Sequence, residues 1–103
     1  DMAIGFNAHG GMGAISVTAN VAPRLFAQLQ EATLRGDYAA ALAINDRLQP
    51  LHAALFSDSS PGPTKYALHR LGRMAPDVRL PIIEPSPASK AAVDAALVHA
   101  GLI

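Results

Sequence analysis

The sequence contains no cysteine and no tryptophan among its 103 residues, and its only lysines are Lys65 and Lys90. The absence of cysteine excludes disulfides and thiolate metal sites within the chain. Lysine and arginine together number 8, as do aspartate and glutamate, so the formal net charge is 0. This balance gives no general attraction to nucleic acid or to an anionic membrane, and we expect neither as a partner.

Long apolar runs are also missing, because every run falls far short of the ~20 residues that cross a bilayer. Asp1 is not followed by the charged-then-apolar leader typical of a signal peptide, so none is predicted. With the lack of cysteine, these features favour a cytoplasmic location. Because no start methionine opens the chain, we expect the numbering to begin inside a longer gene product.

The residues that are present predict a globular and mostly helical chain. Half of them are hydrophobic and only 16% are charged, which is unlike the composition of disordered segments. Apolar residues recur at three- and four-residue spacing, the period of an amphipathic helix. The predicted helices cover residues 2–9, 21–35, 38 to about 56, 64–71 and 88–100.

Capping residues set the limits of these helices. The predicted N-caps are Asn20, Asp37 and Ser86, and the glycines predicted to end helices are Gly36, Gly72 and Gly101. Pro50 lies inside the pattern of the longest helix and lacks the donor for the carbonyl of Asp46. A kink is expected there.

Ala14-Ile15-Ser16-Val17 is the only convincing strand. Its small or apolar residues on both faces, with helices on either side, are typical of the middle of a parallel sheet. A lone strand would leave its backbone groups unpaired, and no other segment can supply neighbours. We therefore expect the chain to be incomplete. Composition shifts at Gly36-Asp37, which predicts one unit over residues 1–36 and a helical domain over residues 37–103.

Motifs that suggest catalysis have simpler interpretations here. Gly10-Gly11-Met12-Gly13 closes a helix and precedes a strand, the reverse of the order in nucleotide-binding loops, so a tight turn is favoured. Lys65 and Lys90 lie near helix starts among polar or proline residues, which favours solvated surface over a Schiff-base pocket. Ser16 has no nearby histidine and no nucleophile-elbow motif, and receives no catalytic role.

The four histidines do not form a metal-binding pattern. His9, His52, His69 and His99 include no pair at the spacing of two ligands on one helix face. His52 lies beside an apolar stripe, which favours a hydrogen-bonded packing role. We predict no metal site and no cofactor. The alanine-rich helix faces fit either internal packing or a subunit interface, and both interpretations stay open.

Several short motifs, in order along the chain, resemble dihydrodipicolinate synthases. They cover essentially the whole sequence, and their combination is far more specific than any one alone. The matching motifs are Gly13-Ala14-Ile15-Ser16-Val17-Thr18-Ala19-Asn20-Val21-Ala22-Pro23, Gly36-Asp37-Tyr38, Ile44-Asn45, Leu48, Pro50-Leu51-His52, Leu55-Phe56, Lys65-Tyr66-Ala67-Leu68, Leu71-Gly72, Arg79-Leu80-Pro81 and Ala100-Gly101-Leu102.

The resemblance implies an α/β fold, in which residues 1–36 form the last helix–strand–helix of a TIM (β/α)8 barrel. Residues 37–103 would form the all-helical C-terminal domain. The family condenses pyruvate with aspartate 4-semialdehyde through a lysine Schiff base, usually as a homotetramer. The catalytic lysine and its proton-relay partners lie upstream of the matched region. Ile15 matches the position that lines the pyruvate pocket, so it is the one substrate-contacting residue expected here.

Two other interpretations stay open at this point. A sister pyruvate aldolase, such as an N-acetylneuraminate lyase or a keto-sugar-acid aldolase, shares the fold and the Schiff-base chemistry. Alternatively, the 103 residues act alone as a helical interaction module. The unpaired strand argues against the second alternative.

Overall fold

The computed structural model describes all 103 residues and folds them into six helices joined by turns and extended connections. The prediction of a mostly helical chain is confirmed, as is the long non-helical connection after the fifth helix. The helices are α1 Ala3–Ala8, α2 Thr18–Val21, α3 Pro23–Leu34, α4 Tyr38–Ala54, α5 Gly62–Arg70 and α6 Pro87–His99.

The strand predicted at residues 14–17 does not form, and that prediction is wrong for the chain as it folds here. Residues 11–16 run without regular secondary structure between α1 and α2. A strand exists only through the ladder of hydrogen bonds to its neighbours, and the chain contains no second strand. The α/β character of the predicted fold is therefore absent from this segment, whose only regular elements are helices.

The chain bends between α2 and α3 at Ala22, whose φ of −126° and ψ of 58° are not helical. Ala22 precedes Pro23, and a proline ring disfavours the helical conformation of the residue before it. The prediction of one helix capped by Asn20 is consequently wrong. Asn20 lies inside α2, and its side-chain amide donates to the Val17 carbonyl at 3.0 Å.

The other two predicted N-caps are confirmed. Asp37 Oδ1 accepts the N–H of Ala40 at 3.0 Å at the start of α4. Ser86 Oγ accepts the N–H of Ser89 at 3.2 Å at the start of α6. Each bond satisfies one of the four backbone donors that a helix leaves unpaired at its N-terminus.

Helix α6 ends at Gly101, as predicted, in a Schellman motif. Gly101 has a φ of 72°, in the left-handed region where glycine avoids the penalty of a Cβ atom. Its N–H donates to the Val98 carbonyl, and the N–H of Leu102 donates to the Leu97 carbonyl, both at 2.9 Å. Helix α6 therefore stops where the glycine predicts.

Helix α4 continues through Pro50 over 17 residues. Proline cannot donate to the carbonyl four residues earlier, which is that of Asp46. In the structure His99 Nε2 of α6 lies 3.1 Å from that carbonyl oxygen and serves as its donor. The Arg47 guanidinium donates to the Ala100 carbonyl at 2.6 Å beside it. These two bonds brace α4 against α6, and the predicted kink stays a prediction.

One core of 13 buried residues holds the helices together. The predicted apolar stripes of α3, α4 and α6 supply most of it, and α2 and α5 add to it. Side chains from both sides of Gly36 pack in this one cluster; the division at that glycine stays a prediction. The core residues are Val21, Ala22, Leu25, Phe26, Leu29, Leu48, Leu51, Ala54, Leu55, Ala67, Val93, Ala96 and Leu97.

None of the six helices combines the length and the hydropathy needed to cross a bilayer.

Candidate functional site

Ile15 lies in the extended segment between α1 and α2, with its side chain fully exposed. It borders a cavity of about 510 Å³ that opens toward α4. A second cavity of about 480 Å³, on the α1 side, also has Ile15 in its wall. The first cavity, here called the α4 cavity, is lined by Asp1, Ile15, Ser16, Val17, Thr18, Gln49, His52, Ala53 and Phe56.

The polar centre of the α4 cavity is a contact between Thr18 and His52. Thr18 Oγ1 and His52 Nδ1 lie 2.7 Å apart, although the residues are 34 positions apart in sequence. Thr18 is 1% exposed and His52 7% exposed. The predicted role of His52 as a hydrogen-bonded packing residue is thereby confirmed. The sequence does not predict Thr18 as its partner, because residue spacing along α4 cannot indicate a contact with α2.

The ring of His52 is held in an apolar setting. The Phe26 ring meets it edge-on, with centroids 6.3 Å apart and an interplanar angle of 86°. Burial lowers the pKa of His52 from 6.5 to about 4, because the charged imidazolium loses its hydration there. The imidazole is therefore neutral near pH 7, and its bond with Thr18 joins two uncharged groups.

The α4 cavity has a mixed lining, with four hydrophobic residues among nine. Ile15 and Phe56 are both exposed there, and the Gln49 amide of α4 donates to the Asp1 carbonyl at 3.4 Å. No lysine and no metal-binding cluster lines the cavity, and the hydrogen-bond partner of His52 is Thr18 and not Ser16. A wall of this kind can contact a small substrate, but it supplies no lysine for a Schiff base.

Both lysines lie away from this cavity, each held by a polar partner. Lys65 Nζ donates to the Asp77 carbonyl. Lys90 Nζ pairs with the carboxylate of Glu84 and lies 5.6 Å from the centroid of the Tyr66 ring. The predicted surface placement of the lysines is confirmed. Neither has the desolvated pocket that would favour a neutral, nucleophilic amine.

The glycine-rich motif closes α1, as predicted. Gly10 has a φ of 98°, and the N–H of Gly11 donates to the Phe6 carbonyl at 3.0 Å. A Cβ atom on Gly11 would lie 2.2 Å from the Phe6 ring, so this glycine is required by close packing. The turn thus directs the chain into the segment that carries Ile15.

The remaining histidines each make one backbone contact, far from one another. His9 Nδ1 is 2.8 Å from the Gly5 carbonyl, and His69 Nδ1 is 3.3 Å from the Met74 carbonyl. The structure contains no group of three or more histidine and carboxylate side chains able to hold a metal ion.

The alanine-rich faces of α4 and α6 form a shallow groove of about 520 Å³ on the outside of the helices. Ala54 and Ala96 at its base belong to the core, whereas Ala53, Ala92 and Ala95 are exposed. Small side chains there serve close helix packing on one side and leave a flat outer surface. The predicted subunit interface stays a prediction.

Comparison with known proteins gives the segment a context. Dihydrodipicolinate synthase from Thermotoga maritima superposes with a TM-score of 0.94 at 30% identity, over 99% of this chain and 35% of that one. The chloride-inhibited enzyme from Acinetobacter baumannii, solved with pyruvate, gives 0.92 at 33% identity, over 99% and 35%. The six-helix arrangement is thus that of about a third of each of these synthase chains.

The family itself is shown by sequence. The dihydrodipicolinate synthetase family matches residues 1–100, and the chain belongs to it. The 4-hydroxy-tetrahydrodipicolinate synthase of Zymomonas mobilis is 62% identical over 104 residues, which cover 100% of this chain and 36% of the relative. That of Rhizorhabdus wittichii is 65% identical over 103 residues, covering 99% and 35%. The chain spans about a third of the length of these relatives, and the resemblance found in its motifs is confirmed.

Proposed function

We propose that this chain is part of a 4-hydroxy-tetrahydrodipicolinate synthase, a lyase of lysine and diaminopimelate biosynthesis. The whole enzyme would condense pyruvate with aspartate 4-semialdehyde through a lysine Schiff base. The observation that carries the proposal is the identity of 62–65% with synthases over the full chain. Family membership over residues 1–100 supports it further.

Residues 1–36 are proposed to supply the last strand of a TIM barrel and its flanking helices. The extended segment at residues 11–16 supports this, because it leaves the exposed side chain of Ile15 uncovered. In a barrel the neighbouring strands would provide the ladder that this chain lacks. Residues 37–103 would form the helical C-terminal domain, within a cytoplasmic homotetramer.

Ile15 is proposed to line the pyruvate pocket. It lies three residues before α2, near the end of the proposed strand, and barrel active sites gather at the C-terminal ends of the strands. The exposed side chain and the adjacent α4 cavity leave room for a small ketoacid and for the rest of the barrel. Its role would be the shape of the pocket and a backbone contact.

The segment alone is proposed to be inactive. Its two lysines are engaged with the Asp77 carbonyl and the Glu84 carboxylate. An amine engaged in this way, outside a desolvated pocket, is not placed to attack a ketone carbonyl. The Schiff-base lysine would therefore lie in the part of the enzyme outside these 103 residues.

The test is an assay of the full-length protein with pyruvate and aspartate 4-semialdehyde. Turnover is expected, and borohydride should trap pyruvate on a lysine outside residues 1–103. A control with N-acetylneuraminate or a keto-sugar acid separates the sister aldolases. Turnover of one of these and not of the semialdehyde would overturn the proposed substrate. A borohydride adduct on Lys65 or Lys90 in the isolated segment would overturn its proposed inactivity.

A further inference from the structure

Thr18 and His52 form the buried polar contact closest to Ile15 between its segment and the helices. Their 2.7 Å bond joins the start of α2 to the second half of α4. Both side chains line the same α4 cavity as Ile15. This bond can therefore affect the position of the exposed Ile15 side chain.

The backbone around Ile15 has no comparable anchor of its own. No group of residues 12–16 takes part in a hydrogen bond within the chain. The Val17 carbonyl accepts only from Asn20, a contact local to α2. Neighbouring strands in a barrel would fix the segment within the sheet, whereas Thr18 ties its exit to α4. Ile15 is three positions before Thr18, and three residues span at most about 11 Å. Anchoring Thr18 therefore restricts the position of Ile15.

His52 is a rigid reference point for this tie. It follows Leu51, which is 0% exposed in the core, and its ring abuts Phe26 of α3 edge-on. Close-packed interiors transmit small displacements instead of absorbing them. Loss of the Thr18 contact would therefore free the exit of the segment while the helices stay in place.

We infer that Thr18 and His52 are positioning residues that set the place of Ile15 in the ketoacid pocket from the side of the C-terminal helices. The inference rests on the proposed function, since it assigns the contact a role in that pocket. Neither residue is expected to touch the reacting atoms. Their effect would pass through the segment that carries Ile15.

The central experiment compares Thr18→Val with Thr18→Ser in the full-length enzyme. Valine removes the hydroxyl and leaves His52 Nδ1 without its partner, whereas serine keeps the bond. A buried neutral hydrogen bond corresponds to about a three- to tenfold change in an equilibrium constant. We expect the KM for pyruvate to rise by about that factor in Thr18→Val, with kcat within about twofold. The Thr18→Ser enzyme should match the wild type within about twofold.

Thr33→Val is the matched control for lost stability. Thr33 is also a buried threonine, 6% exposed, and its hydroxyl bonds Asn7 at 2.8 Å on the far side of α3. It should lower the melting temperature about as much as Thr18→Val while leaving the KM for pyruvate unchanged. Equal melting temperatures with an unchanged KM in Thr18→Val would show a merely structural role and overturn the inference.

A second pair keeps the test open if Thr18→Val does not fold. The amide of asparagine can occupy the place of Nδ1, whereas that of glutamine extends beyond it. His52→Asn should keep the KM near that of the wild type, and His52→Gln should raise it. The same KM in both variants would contradict the inference.

Hydrogen exchange gives a readout that does not depend on catalysis. In Thr18→Val the amides of residues 15–17 should exchange at least about fivefold faster than in Thr33→Val, because local opening becomes easier. Absence of turnover in the wild-type enzyme would overturn the proposed function. The exchange rates would still test whether the Thr18–His52 contact positions the segment that carries Ile15. Unchanged rates would overturn it.

Discussion

Two regions of the chain differ in how they satisfy their own backbone. The helical part, from Thr18 onward, pairs its donors within helices, ends α3, α5 and α6 at glycines, and packs around one core. The extended segment at residues 12–16 makes no hydrogen bond and exposes the largest side chain it carries, Ile15. The first region is stable through its own contacts. The second has no hydrogen bond of its own, is followed directly by the α2 anchor at Thr18, and carries the candidate site.

The largest expected effect comes from opening the core of the helical region. Leu51→Ala should cost about 3 kcal/mol of unfolding free energy, because Leu51 is 0% exposed and its truncation leaves a cavity. Leu42→Ala is the matched control on the same helix, since Leu42 is 53% exposed. Its cost should stay within about 0.5 kcal/mol. Urea denaturation measures both, and similar costs would contradict the core as described.

Acid should act next, through the Thr18–His52 contact at the edge of the helical region. The folded pKa of His52 is about 4 against 6.5 unfolded, so the unfolded chain binds more protons between these values. Stability should therefore be full above about pH 6.5 and fall as the pH drops toward about 4, because burial and then the N-terminal charge disfavour the imidazolium. Urea denaturation across this range checks it. His52→Asn should flatten this part of the profile, and an unchanged slope would assign the loss to other groups.

A smaller effect is expected at the end of α6. Gly101→Ala should cost about 1 kcal/mol, because the φ of 72° strains any residue with a Cβ atom. That atom would also lie 3.2 Å from the Arg47 guanidinium. Gly5→Ala is the control, since Gly5 lies inside α1 with open space around it. Thermal unfolding should show a gain of about 0.5–1 kcal/mol there, and a loss would contradict the helical geometry of α1.

The smallest effect on stability is expected in the extended segment. Ile15→Ala should change the unfolding free energy of the chain by less than about 0.5 kcal/mol. The Ile15 side chain is exposed and belongs neither to the core nor to the residues packed against it. In the full-length enzyme the same change should raise the KM for pyruvate. A large loss of stability in the isolated chain would show that the two regions are not independent in the way described.

The sequence predicts the helical region well because its signals are local. Asp37, Ser86 and Gly101 act on backbone groups within five residues of themselves, and each was assigned its observed role. The break at Ala22 was missed although its cause, the following Pro23, is also local; the apolar spacing across it looked continuous. The same continuity makes Asn20 look like a cap, although it lies inside α2.

The conformation of the extended segment and the Thr18–His52 contact are not predictable from local sequence patterns. The pattern at residues 14–17 describes a surface suited to a sheet, but pairing depends on strands that the chain does not contain. The Thr18–His52 bond joins positions 34 apart, so no periodic pattern could indicate it. Its burial follows from how α2 crosses α4, a property of the assembled helices. The resemblance to a family, by contrast, was visible throughout.

Pro50 affects the alignment of the two longest helices, α4 and α6. By leaving the Asp46 carbonyl without an internal donor, it places one open acceptor at a fixed height along α4, and His99 fills it. A slip of α6 by one helical turn would carry the imidazole about 5.4 Å away and leave that oxygen bare. Pro50, a residue type that usually breaks helices, thus favours one particular register between α4 and α6.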